Sequence, residues 1–277
     1  MIAIAQYRDC STAGLRDLDL QLIQQINRLV PGLLVNFSYL PISVGSGVHP
    51  YLQAPAVRAL ERAIADRPGV SFHCNSAYRS LAAQMVLYAH CRARRCGISA
   101  AAAPGMSNHN GALALDVRDP RGWRPHLERH GWDWLGSWDE WHFDFVGPGT
   151  QDLRWLSIKA FQCLWNFNCP SDKIAEDGRW GSATEQALLK TPIQGFIRVP
   201  GGKEIKEPSP SLREGASGSE VLRLQKALNR HNLNLTLTED GVFGAATKTA
   251  VRSYQRRLGL VDDGVVGSMT KAALGLT

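Results

Sequence analysis

The sequence predicts an α+β domain with an antiparallel sheet, followed by a small all-α domain of three helices. In the first half of the chain, segments with helical spacing of apolar residues are separated by short runs in which apolar and polar residues alternate, as they do in strands. The second half repeats an Asp-Gly motif, and a helical pattern follows each copy. The 277 residues are enough for two domains and a small third segment.

The elements of the first half can be placed in order from apolar spacing and from the residues that start or stop helices. Residues 18–30 and 56–65 have helical spacing, and a proline-glycine pair follows each segment. Residues 70–74 form a predicted strand. Ser80 can cap the next helix, which is predicted over residues 81–95.

Two stretches carry the residues of a metal site: Ser107-Asn-His-Asn-Gly-Ala-Leu-Ala-Leu-Asp116 and Asp139-Glu-Trp-His142. Two imidazoles and one carboxylate supply the three protein ligands of a catalytic zinc ion, which keeps an open position for water. A further carboxylate can serve as the acid/base group. We therefore predict His109, Asp116 and His142 as zinc ligands and Asp139 as the base.

The strand pattern supports this assignment. An asparagine-glycine turn precedes a predicted strand over residues 112–117, and side-chain alternation places Asp116 on the face that carries small alanines. A second predicted strand, residues 141–146, carries His142 on the face opposite to its aromatic side chains. Asp139 has the opposite parity, so we expect it in the loop that enters this strand.

At these residues the chain resembles the zinc D-alanyl-D-alanine carboxypeptidases of the VanY type and related phage endolysin peptidases. Their pattern is Ser-x-His-x-x-Gly-x-Ala-x-Asp followed by Glu or Asp-x-x-His, and an upstream element is Tyr-Arg-Ser followed by Gln. The resemblance covers roughly the first half of the chain. The matching residues are Tyr78, Arg79, Ser80, Gln84, Ser107, His109, Ala114, Asp116, Asp139 and His142.

The resemblance implies a fold, a cofactor and residue roles. The fold is a hedgehog/DD-peptidase-type zinc domain, and the cofactor is Zn²⁺. Arg79 would stabilise negative charge on the scissile carbonyl. Ser80, Gln84 and Ser107 would hold the substrate, although helix capping by Ser80 and a solvent-facing helix position for Gln84 are open alternatives.

The chain departs from the family pattern at two positions. Ala112 stands where the family has glycine, with Gly111 one place earlier. Asp139 stands where many relatives have glutamate, and Glu140 is next to it. A rival pair of imidazoles, His126 and His130, has helical spacing, but we expect it on a solvated helix face because the glutamate between them is misplaced for a base.

The second half carries the repeat. Residues 177–188, 240–251 and 263–274 each contain Asp-Gly, a second glycine, a threonine and then an alanine with an aliphatic residue. Residues 212–277 resemble the small three-helix peptidoglycan-binding domain of wall hydrolases, with helices predicted over 221–230, 245–258 and 268–274. The predicted domains are a catalytic domain (1–150), a helical partial repeat (151–195), a linker (196–211) and a peptidoglycan-binding domain (212–277).

Charge and composition limit the partners. The formal net charge is +6, which suits an anionic wall surface. Nucleic acid is not expected, since no basic stripe is interleaved with aromatic residues. No apolar run has the length of a membrane span, and the first residues lack a secretory signal pattern. We expect a monomer in an extracytoplasmic setting and leave the export route open.

Six cysteines allow fifteen disulfide connectivities. Their spacing suggests three pairs, and six reduced thiols are the alternative. The suggested pairs are Cys91–Cys96, Cys163–Cys169 and Cys10–Cys74.

These observations predict a zinc peptidase that cuts the peptide stems of bacterial peptidoglycan and is targeted by its C-terminal domain. D-alanyl-D-alanine carboxypeptidase and stem endopeptidase activity use the same metal site, so both remain open. The alternative from another class is a non-catalytic wall-binding protein with a structural zinc domain.

Overall fold

A computed structural model shows two compact units, Met1–Phe196 and Ile197–Thr277. It describes residues 2–38, 40–45, 47–200, 212–231, 236–257, 264–266 and 268–276. The first unit mixes helices with two sheets and the second is helical, so the predicted fold class is confirmed. Most of the predicted linker, residues 201–211, lies outside the described residues.

The first unit contains seven strands and six α-helices among its described residues. In chain order these are α1 (Arg16–Leu29), β1 (Leu34–Asn36), β2 (Ile42–Val44), β3 (Tyr51–Gln53), α2 (Ala54–Ala65), β4 (Phe72–Ser76), α3 (Leu81–Arg92), β5 (Ala114–Val117), α4 (Pro120–Arg129), β6 (Trp132–Trp134), β7 (His142–Phe145), α5 (Arg154–Asn168) and α6 (Ser182–Lys190).

The main sheet has the strand order β2-β4-β5-β7-β6. Three of its pairings are antiparallel, but β2 runs parallel to β4, so the expectation of a purely antiparallel sheet is corrected at this edge. The parallel pairing is possible because β3 and α2 lie between β2 and β4 in the chain and provide the crossover. A second, two-stranded sheet pairs β1 with β3.

One face of the main sheet is covered and the other is polar. Leu115 and Val117 of β5 and Phe143 and Phe145 of β7 are buried in a core that they share with α2 and α4. Strand alternation therefore turns Asp116, His142 and Asp144 to the opposite face.

A second core joins helices from distant parts of the chain. It contains buried apolar side chains of α1, α3, α5 and α6, including Leu18, Leu81, Phe161 and Leu188. Helices α5 and α6 thus contribute side chains to the hydrophobic interior of the first unit.

The partial repeat is organised by the buried amide of Gln162. Its Nε2 donates to Asp177 Oδ1 at 3.0 Å and to Thr184 Oγ1 at 3.1 Å. Its Oε1 accepts from the Gly178 backbone N–H at 2.8 Å. The repeated residue types are therefore joined in one hydrogen-bond network that connects α5, the Asp-Gly turn and α6.

The second unit repeats this network 63 residues later. Its helices are α7 (Ser219–Arg230), α8 (Ala245–Arg257) and α9 (Ser268–Leu274). Gln225 donates to Asp240 Oδ1 at 2.7 Å and to Thr247 Oγ1 at 3.2 Å, and accepts from Gly241 at 2.8 Å. In the third copy Gln255 bonds Thr270 and Gly264; Asp263 and Leu258, the predicted end of α8, lie outside the described residues.

The disulfide predictions are wrong. Cys10 is bonded to Cys96, 86 residues away, and the other four cysteines are free. Cys74 is a free thiol buried within the sheet core, whereas Cys10 is exposed. Cys163 lies on α5 and Cys169 just beyond its end, and residues six apart on a helix point in different directions. The alternative of six reduced thiols is excluded by the same bond.

Helix ends differ slightly from the predictions. Helix α3 ends at Arg92 instead of residue 95, because Arg94 adopts a positive φ of 50° that a helix does not allow.

None of the helices in the described part of the chain has both the length and the apolar character needed to cross a membrane.

Candidate metal site

The polar face of the sheet brings the three predicted ligands together. Asp116 and His142 are directly paired in the register between β5 and β7. His109 comes from the 3₁₀ helix Asn108–Gly111, which precedes β5. One ligand atom from each of the three residues lies within 4.8 Å of the others, and no other group of this kind occurs among the described residues.

His109 is held in the tautomer that a metal site needs. Its Nδ1 lies 2.6 Å from the Ala77 carbonyl oxygen, which can only accept, so Nδ1 carries the hydrogen. Nε2 is left with its lone pair and lies 3.4 Å from Asp116 Oδ1. Burial lowers the pKa of His109, and the nearby Arg79 lowers it further, so the neutral ring is favoured. A backbone carbonyl on the second nitrogen is a common support for a metal-binding histidine.

His142 is oriented by a second carboxylate. Its Nε2 donates to Asp144 Oδ1 at 2.9 Å, and its Nδ1 points to Asp116 Oδ1 at 3.0 Å. Burial alone lowers the pKa of His142, but its hydrogen bonds to both carboxylates outweigh burial and raise the pKa to about 9. The two histidines therefore present different nitrogens, Nε2 of His109 and Nδ1 of His142, to the same carboxylate.

Asp116 is ionised at this position. Burial raises its pKa, but His109, His142 and Arg79 outweigh burial and hold the pKa well below its usual range. The Arg79 guanidinium lies 3.5 Å from Asp116 Oδ2. A partly buried carboxylate that stays ionised is a suitable anionic ligand for a divalent ion.

Arg79 projects toward the same centre. Its guanidinium donates to Ser76 Oγ at 3.1 Å and to Gln84 Oε1 at 3.2 Å, in addition to the contact with Asp116. Burial lowers the pKa of Arg79, while the charges of Asp116 and Asp139 raise it. Asp139 ends the 3₁₀ helix Ser137–Asp139 before β7, in the entering segment where the sequence predicts it.

The predicted substrate-binding residues have defined contacts. Ser80 is fully buried; its hydroxyl caps α3 by accepting from Ala83 N at 3.0 Å and donates to Asp19. Gln84 is also buried, and besides bonding Arg79 it donates to the Ala102 carbonyl at 2.8 Å. Both side chains thus use hydrogen-bonding groups within the protein, and a solvent-facing position for Gln84 is wrong.

Ser107 and Ala112 flank the ligand His109. The Ser107 hydroxyl accepts from the His109 backbone N–H at 3.3 Å, and its role toward substrate stays a prediction. Ala112 adopts a left-handed conformation with φ 56° and ψ 40°. This explains the family glycine at Ala112, since glycine alone takes this conformation without a steric cost.

Asp144 is the residue that sequence reasoning missed. The sequence shows that Asp144 shares a strand face with His142. It does not show which nitrogen of His142 faces Asp116, and the contact of Asp144 with the other nitrogen follows only from the structure. Asp144 also borders a cavity of about 210 Å³. The other lining residues are Asn108, Gly111, Leu113, Phe145, Val146, Thr150, Gln151, Asp152 and Arg154.

The rival pair of imidazoles is used elsewhere. His130 Nε2 lies 2.9 Å from Asp66 Oδ2, and His126 packs its ring against Trp123 at a centroid separation of 6.1 Å.

The donor set at His109, Asp116 and His142 fits zinc. Two imidazole nitrogens and one carboxylate oxygen are zinc ligands in catalytic sites, and each histidine has its second nitrogen engaged by an acceptor. This fit depends on the three ligand atoms and on the two acceptors of the histidine rings, the Ala77 carbonyl and Asp144.

Two parts of the chain match known protein families. Residues 49–135 match the family model of the D-alanyl-D-alanine carboxypeptidase VanY, and residues 217–274 match that of a peptidoglycan binding domain. The chain thus combines a segment that matches the VanY model, called the VanY segment below, with a segment that matches the peptidoglycan-binding model. The VanY segment includes Arg79, His109 and Asp116 and ends before Asp139 and His142.

A solved structure is similar to a quarter of the chain. The crystal structure of SleB N-terminal domain is 39% identical over 24% of this chain and 90% of that chain, with a TM-score of 0.23. No curated protein matches the chain.

Proposed function

We propose that this protein is a zinc-dependent peptidase that hydrolyses the peptide stems of bacterial peptidoglycan. The VanY and peptidoglycan-binding segments support a peptidase that acts on the wall. The observation that carries the proposal is the convergence of His109, Asp116 and His142, with Arg79 beside them. The C-terminal segment would raise the local concentration of substrate at the first unit.

The metal would be held by Nε2 of His109, a carboxylate oxygen of Asp116 and Nδ1 of His142. Bound zinc supplies a Lewis acid that polarises a carbonyl and lowers the pKa of water toward ~7. Asp144 and the Ala77 carbonyl keep the two rings in the orientation and tautomer that binding requires.

Two further residues act on the peptide bond. Asp139 accepts the proton of the attacking water and passes it to the leaving amine. Arg79 binds the negative charge that develops on the carbonyl oxygen, and because its guanidinium is already fixed by Ser76 and Gln84, little reorganisation is needed as that charge appears. Ser107 remains a proposed substrate contact.

Two activities fit this site: removal of the terminal D-alanine and cleavage within the stem. The proposal includes an extracytoplasmic, monomeric protein with peptidoglycan as its partner. The domain boundaries 1–150, 151–195, 196–211 and 212–277 belong to the same proposal.

The test is incubation of the full chain with defined muropeptides, with and without a zinc chelator, and identification of the products by mass spectrometry. Release of single D-alanine would assign a carboxypeptidase, and release of longer fragments an endopeptidase, provided that chelation stops either reaction. Wall binding without any release would contradict the proposal and select a wall-binding protein with a structural metal.

A further inference from the structure

The carboxylate of Asp19, on α1, is buried beneath the candidate site. It is only 1% exposed and precedes the VanY segment. Its Oδ2 accepts from His49 Nε2 at 3.0 Å, and its Oδ1 accepts from the Ser80 hydroxyl. Burying a carboxylate costs several kcal/mol unless it is paired and hydrogen-bonded, so these two donors are what allow it to be there.

The two residues that donate to Asp19 both have backbone that neighbours the segment around Arg79. The His49 carbonyl accepts from the Tyr78 backbone N–H at 3.2 Å, and the two residues form an antiparallel bridge. Ser80 follows Arg79 directly and is the N-cap residue of α3. A single carboxylate therefore holds the chain on both sides of Arg79.

The other side of the same segment is bonded to the ligand loop. The Arg79 backbone N–H donates to the His109 carbonyl at 3.1 Å, and the Arg79 carbonyl accepts from Asn110 Nδ2 at 2.7 Å. The direction of the guanidinium toward Asp116 depends on where this backbone is fixed. Asp19 supplies the anchor on the side away from the ligands.

We propose that Asp19 is a positioning residue, which keeps Arg79 aligned with the reacting carbonyl through Ser80 and His49. The inference rests on the proposed function, in which Arg79 stabilises the developing charge. It assigns to the N-terminal helix, outside the VanY segment, a part in the reaction. A displacement of about 1 Å in a positioned group can cost on the order of 100-fold in rate, so the anchor has a measurable effect.

The test is a double-mutant cycle on the full chain with Asp19→Asn and Arg79→Ala, measured with a muropeptide that the wild type cleaves. Asparagine keeps the size of Asp19 but removes its charge, so the charge-assisted hydrogen bonds from Ser80 and His49 become weaker. We expect Asp19→Asn to lower kcat by about 10-fold with KM and zinc content unchanged. In the Arg79→Ala background, we expect no further fall in kcat, because the residue that Asp19 positions is absent.

Gln21 provides a matched control on the same helix. It is equally buried, and its side chain bonds the Phe196 carbonyl at 2.9 Å and the Phe196 N–H at 2.7 Å, away from Arg79. Gln21→Met should lower the melting temperature without changing kcat. If Asp19→Asn lowers kcat by the same factor in both backgrounds, or leaves it unchanged, Asp19 only supports the fold and the inference is overturned, while hydrolysis by the wild type stands.

Ser80→Ala gives a second, milder variant should Asp19→Asn fail to fold. It removes the hydrogen bond between Ser80 and Asp19 and keeps the one between His49 and Asp19. We expect a lower kcat with an unchanged KM, whereas a direct substrate contact by Ser80 would raise KM. A wild-type protein that hydrolyses no muropeptide would overturn both the proposed function and this inference.

Discussion

At the scale of single residues, the second nitrogen of each histidine decides what the first can do. The Ala77 carbonyl fixes a hydrogen on Nδ1 of His109, and Asp144 accepts one from Nε2 of His142. The remaining nitrogens face Asp116 from two directions. The residue types alone indicate three candidate metal-binding groups. The Ala77 carbonyl and Asp144 determine which nitrogen of each histidine faces Asp116.

Asp144→Ala tests this support. Removal of the acceptor frees the His142 ring to rotate, and we expect zinc affinity to fall by about 10- to 100-fold. The measurement is a competition titration with a zinc chelator of known affinity. Asp66→Ala is the matched control, because Asp66 also bonds a histidine ring, that of His130, outside the candidate site. Equal affinities for wild type and Asp144→Ala would remove Asp144 from the metal site.

Asp139→Ala tests the proposed base. We expect zinc to remain bound and kcat to fall by about 10²- to 10⁴-fold, the usual contribution of a general acid/base. Steady-state turnover of a muropeptide and elemental analysis measure the two quantities. Glu140→Ala is the control and should keep its activity. The opposite pattern, with activity lost only in Glu140→Ala, would transfer the role to Glu140.

At the scale of elements, the disulfide joins the N-terminal segment to the chain just after α3. The bond closes a loop that contains α1, α2, α3 and the strands β1 to β4, so it restricts the unfolded chain over 86 residues. We expect Cys10→Ser to lower the free energy of unfolding by about 2–4 kcal/mol, measured by denaturant titration. Cys91→Ser, which changes a free thiol near Cys96, should have a much smaller effect. Identical transition midpoints for wild type and Cys10→Ser would refute the expectation.

The sequence was informative wherever a periodic pattern or a fixed spacing carried the signal. Helical spacing located α1, α2 and α3 within a few residues, and the spacing of His109 and Asp116 identified the ligands' strand and turn. The disulfide could not be found this way, because a bond across 86 residues depends on the tertiary fold. The parallel pairing of β2 depends likewise on the crossover formed by β3 and α2.

The contacts of buried polar residues were equally hidden. The role of Ser80 and Gln84 toward substrate stays a prediction, but the sequence did not reveal that each bonds a partner elsewhere in the fold, Asp19 for Ser80 and Ala102 for Gln84. The departure from the family pattern at Ala112 was visible in the sequence, but its left-handed backbone conformation became apparent only in the structure.

At the scale of the whole molecule, metal chemistry and wall binding are proposed for separate segments. A chelator should therefore abolish hydrolysis and leave binding to isolated walls unchanged. Co-sedimentation of the full chain with purified peptidoglycan, run beside the hydrolysis assay, measures both. The control is restoration of activity by added zinc. Loss of sedimentation on chelation would show that wall binding depends on the metal site.

The strands at the two ends of the main sheet have a consequence for the protein at high concentration. Both β2 and β6 are three residues long, and the exposed Asp133 stands in the middle of β6. Long, flat, apolar sheet margins offer unpaired amides and carbonyls to other chains and promote aggregation. Margins this short, one of them bearing a charge, give a second molecule little to pair with.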